Sequence, residues 1–156
     1  MSTKKSKKGG GVATVLALFI EMLVGAASAE TTACSAAAKV HEKERDTLKA
    51  QQKEGKKVNG QLIQRSPEGM TVEQCQERID WCNGRAPHVE KLCEDVGQAL
   101  KDWIKSSAIS DVGTLYARAQ GFTVRHSGRA AEFYSDEGRA AFSQALGCLR
   151  GQQAAA

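Results

Sequence analysis

From Val12 to Val24 the chain carries an almost unbroken apolar run, and any fold it adopts must take that run out of water. Ahead of it lie Lys4, Lys5, Lys7 and Lys8, and behind it Gly25-Ala26-Ala27-Ser28-Ala29. A basic stretch, an apolar core and a small-residue exit are the order of a secretory signal. Ala27 and Ala29 take the two small-side-chain places before a cleavage that makes Glu30 the first residue. Glu21 interrupts the run, and a carboxylate at a bilayer centre costs about 3 kcal/mol. Val12–Ile20 suffices for a signal but falls short of the about 20 apolar residues of a span. The expectation is a cleaved signal over residues 1–29, with an uncleaved N-terminal anchor as the alternative. A lipid-modified Cys34 is not expected, because Thr31-Thr32-Ala33 precedes it where an aliphatic residue is needed. Either fate exports the body of the protein, to the periplasm or outside the cell.

That segment also accounts for the charge. The chain carries +4, of which four lysines and Glu21 place +3 before residue 30. Residues 30–156 hold 18 basic and 17 acidic side chains, a net of +1 and no electrostatic footprint for nucleic acid.

The body reads as all-α: a small disulfide-stapled bundle of about four helices (71–150), behind a charged helical arm and loop (30–70), with a short tail (151–156). Thr32 or Ser35 can cap a first helix to about Glu54, charged nearly all round between Lys39 and Asp46. Gly55, Asn59-Gly60, Ser66-Pro67 and Gly69 then signal a loop, in which Val58–Leu62 fits a small hairpin. Thr71-Val72-Glu73-Gln74 is a capping box, and Val72, Cys75, Ile79 and Cys82 follow on one helix face. Asn83-Gly84-Arg85-Ala86-Pro87 predicts a turn. Val89, Leu92, Cys93, Val96, Leu100, Trp103 and Ile104 form the cleanest amphipathic stripe. Two more helices are expected, over about 110–120 and about 135–149. The first turns Ile109, Val112, Leu115, Tyr116 and Ala119 inward, and the second buries Phe142, Ala145, Leu146 and Leu149. Gly128-Arg129-Ala130-Ala131 recurs as Gly138-Arg139-Ala140-Ala141, but two copies ten residues apart do not make a repeat fold.

All five cysteines follow the expected cleavage point, so export predicts disulfides. In a hairpin turning at Gly84, Cys75 and Cys93 are equidistant from the turn, which predicts that pair. Cys82 should then look toward Cys34 or Cys148, giving one further pair and a leftover thiol able to link two chains in a dimer. A zinc site of Cys75, Cys82, His88 and Cys93 lacks the closely paired ligands of zinc modules. No Cys-x-x-Cys is present, which removes haem attachment and thiol redox catalysis. No metal or cofactor is expected.

Catalytic motifs are absent: no phosphate loop, no Gly-x-Ser-x-Gly and no His-Glu-x-x-His. His41 lies in the charged arm, His88 opens a helix, and His126 falls in a loop. After Lys105 every basic residue is an arginine, and Arg118, Arg125 and Arg129 interleave with Tyr116, Phe122 and Tyr134. Arginine with aromatics is the composition of a protein-partner surface. The sequence therefore predicts a non-enzymatic exported interaction protein, an accessory, chaperone-like or inhibitory factor working through helix faces. A membrane-tethered envelope component is the first alternative. A small hydrolase or ligand carrier is the second, and it requires His88, His126 and a carboxylate in one cleft.

Overall fold

The computed structural model describes residues 11–151, so Lys4–Lys8 and the tail beyond Gly151 lie outside the described residues. Among the described residues the protein is all-α apart from one small hairpin. Helix α1 runs over Gly11–Lys53, and strands β1 (Lys57–Val58) and β2 (Gln61–Leu62) follow it. Helices α2 (Val72–Ser106), α3 (Val112–Ser127) and α4 (Asp136–Cys148) complete the order, with a 3-10 turn at Gly128–Glu132 before α4. The described residues divide into two compact units, one joining residues 11–30 with 88–151, the other spanning Thr31–Pro87.

Local chemistry explains the starts of the helices. Gln74 N–H donates to Thr71 Oγ1 at 3.2 Å and Thr71 N–H to Gln74 Oε1 at 2.9 Å, the reciprocal bonds expected of the capping box. Asp111 caps α3 through the Thr114 amide at 2.8 Å, and its carboxyl is held below the usual range chiefly by that bond. Ser135 caps α4 through the Gly138 amide at 3.0 Å. In the hairpin Lys57 pairs with Leu62 and Val58 with Gln61. Asn59 and Gly60 take φ of 54° and 79°, the two left-handed residues that a tight hairpin turn requires. Replacing Thr71 with Ala is expected to lower stability by about 1 kcal/mol, read from a denaturant midpoint.

The first unit buries one core. It draws Phe19 and Leu23 from α1, Val89, Leu92, Val96 and Leu100 from α2, Leu115 and Phe122 from α3, and Phe142, Leu146 and Leu149 near the C-terminus. The expected inward faces of the last two helices are therefore present, with Val112 and Tyr116 only half-buried. Helices α1 and α2 approach closely at Gly97, where a β-carbon would sit 2.6 Å from Ile20 Cδ1. In the second unit Cys34, Ala38 and Cys82 form a small buried cluster, with Ala37 against it.

Three expectations are corrected. The turn at 83–87 does not form, because α2 continues through Gly84 and Pro87. Proline in a helix costs about 3 kcal/mol by losing one hydrogen bond and crowding the preceding turn. The same helix buries Cys75, Ile79 and Cys82 before the proline and Val89, Leu92, Val96 and Leu100 after it. At about 1.5–3 kcal/mol per large apolar side chain, that burial outweighs one lost bond. The staple falls with the turn. Cys75 and Cys93 lie on one continuous helix rather than on two helices facing each other across a turn, so the geometry that predicted their pairing is absent. No disulfide is formed among the described residues. The charged arm also extends further back than expected, since its helix is continuous with the N-terminal apolar run.

Candidate functional site

The charged arm packs where the sequence offered no reason to expect a site. In the second unit, α1 and the loop before α2 enclose a groove of about 380 Å³. Val40, Leu48, Pro67 and Met70 contribute its apolar walls, and His41, Lys43, Glu44, Ser66 and Glu68 its polar groups. Successive turns of α1 bring His41, Glu44 and Leu48 to one side, at the i, i+3, i+7 spacing of a helix face. Leu48 is buried, whereas Val40 is 65% exposed beside the groove.

The polar groups are bound to one another. The Ser66 hydroxyl donates to Glu44 Oε2 at 2.5 Å and accepts the Met70 amide at 3.2 Å. Ser66 N–H donates to the Met70 carbonyl at 2.8 Å, closing the loop on itself. His41 Nδ1 lies 3.2 Å from Glu44 Oε1. Arg45, one residue on, donates to Gln76 of α2 at 2.8 Å. The Ser66 hydroxyl holds the Glu44 carboxyl below its ordinary value of 4.5, against the opposing effect of burial. Burial, with the Glu44 carboxylate nearby, pushes the Cys75 thiol up. Serine, carboxylate and histidine are thus in contact, but the carboxylate stands between the other two. A carboxyl with a lowered pKa is a poor base toward a serine hydroxyl, and the histidine does not touch the serine.

The lowered Glu44 pKa has a pH consequence. A carboxyl whose folded pKa is depressed contributes stability that is present above its unfolded value. That stability is lost as pH falls from about 4.5 through the lower folded value. Hydrogen exchange of residues 66–70 should therefore accelerate below that pH, and Ser66→Ala should reduce the acid dependence.

The expected partner surface divides on folding. Phe122 is buried in the core of the first unit, stacked on Trp103 at 5.7 Å and on His126 at 4.4 Å between centroids. Tyr116 is half-buried, and Arg118 and Arg125 are exposed. Arg129 donates to Glu132 at 2.8 Å, and Glu132 also meets His88 Nε2 at 2.8 Å. Tyr134 is 43% exposed, while its backbone N–H is directed inward to Glu30. His126 lies at the end of α3 rather than in a loop, and burial followed by Arg129 and Arg125 lowers its pKa. Among the described residues no group of three or more potential ligands is placed to hold a metal ion.

The expected cleavage site is also inside the structure. Ala27 and Glu30 are buried and Ala29 is half-buried. The Glu30 carboxylate accepts Tyr134 N–H at 2.5 Å, Ser135 N–H at 2.8 Å and the Ser135 hydroxyl at 2.7 Å. These bonds tie α1 to the start of α4. No protein family, curated protein or solved structure matches this chain.

Sequence reasoning missed the Glu44–Ser66 contact and the Glu30 contacts. The turn signal Ser66-Pro67 was readable, but which residue of the arm it meets was not. A carboxylate in an otherwise apolar or small-residue stretch, as at Glu30, was the one available hint of a buried anchor.

Proposed function

We propose that the chain is an exported, non-enzymatic interaction protein that binds a protein partner through the groove of the second unit. The observation carrying this reading is that the groove's serine, carboxylate and histidine are spent on each other, leaving apolar walls open beside them. Such a groove suits the apolar side chains of a peptide or helix, with Lys43 and Glu68 at hand for charges on its flanks. Export rests on the basic, apolar and small-residue order of the first 29 positions. The helix Gly11–Lys53 is long and apolar enough to cross a membrane by composition, which keeps the anchored alternative in view. Retention of the N-terminal helix is favoured by the burial of Phe19, Leu23, Ala27 and Glu30. N-terminal sequencing separates the two fates, because cleavage leaves Glu30 first.

All five thiols are buried, which supports links within one chain over a disulfide-linked dimer. Non-reducing electrophoresis checks this. Partner binding is tested with a photo-crosslinking side chain at Val40 or Met70, against the same probe at exposed Val124 of the first unit. The reading predicts a discrete adduct from the groove positions that Leu48→Asp abolishes. Equal or no labelling at the groove relative to Val124 would discard it.

A further inference from the structure

We infer that Cys34 and Cys82 are a disulfide-forming pair that locks α1 to α2 within the second unit. The two thiols reach the same place from different helices. Cys34 is 2% and Cys82 3% exposed, and with Ala38 they form one small buried cluster. Ala38 stands one helical turn beyond Cys34, so Cys82 is the member that α2 contributes. The neighbours are small: Ala37 packs against the cluster, and no leucine, isoleucine or aromatic belongs to it. A disulfide needs α-carbons about 4.4–6.8 Å apart, a helix approach that only small flanking side chains permit.

The other three cysteines are differently placed. Cys93 and Cys148 belong to the core of the first unit, where burial pushes their thiols up to about 12 and about 11. Neither belongs to the small cluster that brings Cys34 and Cys82 together. Cys75 lies beside Glu44, whose negative charge further disfavours its thiolate.

The reaction takes an external disulfide as oxidant, glutathione disulfide or the disulfide of an oxidoreductase. One cysteine thiolate attacks it, forming a mixed disulfide and releasing one thiol. The second cysteine then attacks the mixed disulfide and releases the second thiol. Two S–H groups are oxidised to one S–S bond, and one external disulfide is reduced to two thiols. Because both sulfurs are buried, exchange proceeds during folding or local opening of the unit, and the closed bond is shielded from later reduction. This pairing is independent of the groove's partner.

The test uses the full chain, refolded in a buffer of reduced and oxidised glutathione, alkylated, digested with trypsin and mapped by mass spectrometry. Lys39, Arg65, Arg78 and Arg85 place Cys34, Cys75 and Cys82 on three different tryptic peptides. The expected result is a Cys34–Cys82 linked peptide carrying most of both cysteines, with Cys75, Cys93 and Cys148 alkylated. The linked form should also show a higher thermal midpoint than the same protein after reduction. In Cys82→Ser the linked peptide should vanish while Cys34 becomes alkylated and the circular dichroism spectrum stays helical. Alkylated Cys34 in the wild-type chain, or Cys34 linked to Cys75, Cys93, Cys148 or a second chain, would overturn the pairing.

Discussion

Deleting residues 1–29 is expected to unfold the first unit. The deletion removes Phe19 and Leu23, which are buried at 0% and 2% exposure, together with Val15, Ala26 and Ala27 from the same core. Emptying a phenylalanine site costs about 3–5 kcal/mol and a leucine site about 2–5 kcal/mol. Against a typical total stability of about 5–15 kcal/mol, those two losses alone approach the whole. The face of α2 bearing Val89, Leu92, Val96 and Leu100 would be left without its α1 neighbours in water. The readout is the near-ultraviolet circular dichroism and fluorescence of Trp103, which stacks on buried Phe122. Loss of the tertiary signal is expected, with helical far-ultraviolet signal partly kept. A truncated chain beginning at Glu30 that retains the full tertiary signal would show that the N-terminal helix is dispensable. It would favour the cleaved-signal reading.

Replacing Glu30 with Ala should destabilise the first unit by about 3 kcal/mol, the cost of leaving buried partners of a carboxylate unpaired. The Tyr134 and Ser135 amides and the Ser135 hydroxyl would all lose their acceptor. The space is closed as well: a β-carbon at Gly138 would lie 3.0 Å from Glu30 Oε1 and 2.8 Å from a Phe133 ring carbon. A drop of about 12–24 °C in thermal midpoint follows for a unit of this size. Glu30→Gln separates shape from hydrogen bonding. It fills the same volume but turns one amide N–H toward a backbone donor, so an intermediate loss of about 1–3 kcal/mol is expected. If Glu30→Ala melts with the wild type, the carboxylate contributes nothing to holding α1 against α4.

Both results bear on the same question, whether residues 11–29 are an address or a structural element. The sequence pattern is that of a secretory signal, and the same residues make an amphipathic helix whose inward face is Val15, Phe19, Leu23 and Ala26. On the outward face Leu18 and Val24 are the large apolar residues, among alanine, threonine, serine, glycine and Glu21. The position of Glu21 on that exposed face explains why a charge is tolerated in the apolar run. Hydropathy averaged along the chain does not distinguish a run that enters a membrane from one that enters its own protein's core.

The helices after residue 70 were legible for local reasons. The capping box at Thr71 and Gln74 and the inward spacing of Leu115, Ala119, Phe142 and Leu146 depend on neighbours within one or two turns. The turn read at 83–87 failed because glycine and proline were weighed locally, while burial along the whole of α2 decided the outcome. The cysteine pairing failed with it, since symmetry about a turn has no meaning in a continuous helix.

The sequence by itself determined that the chain is helical, that a helix is capped at Thr71 and which faces of the later helices turn inward. Those properties follow from a 3.6-residue period and from bonds between a side chain and an amide about three residues away. Only the tertiary structure decided which polar groups meet. Ser66 reaches Glu44 across 22 residues, Arg45 reaches Gln76 across 31, and Glu30 reaches Tyr134 across 104. No periodicity encodes such partners; they are selected when apolar faces close and each buried carboxylate must find a donor.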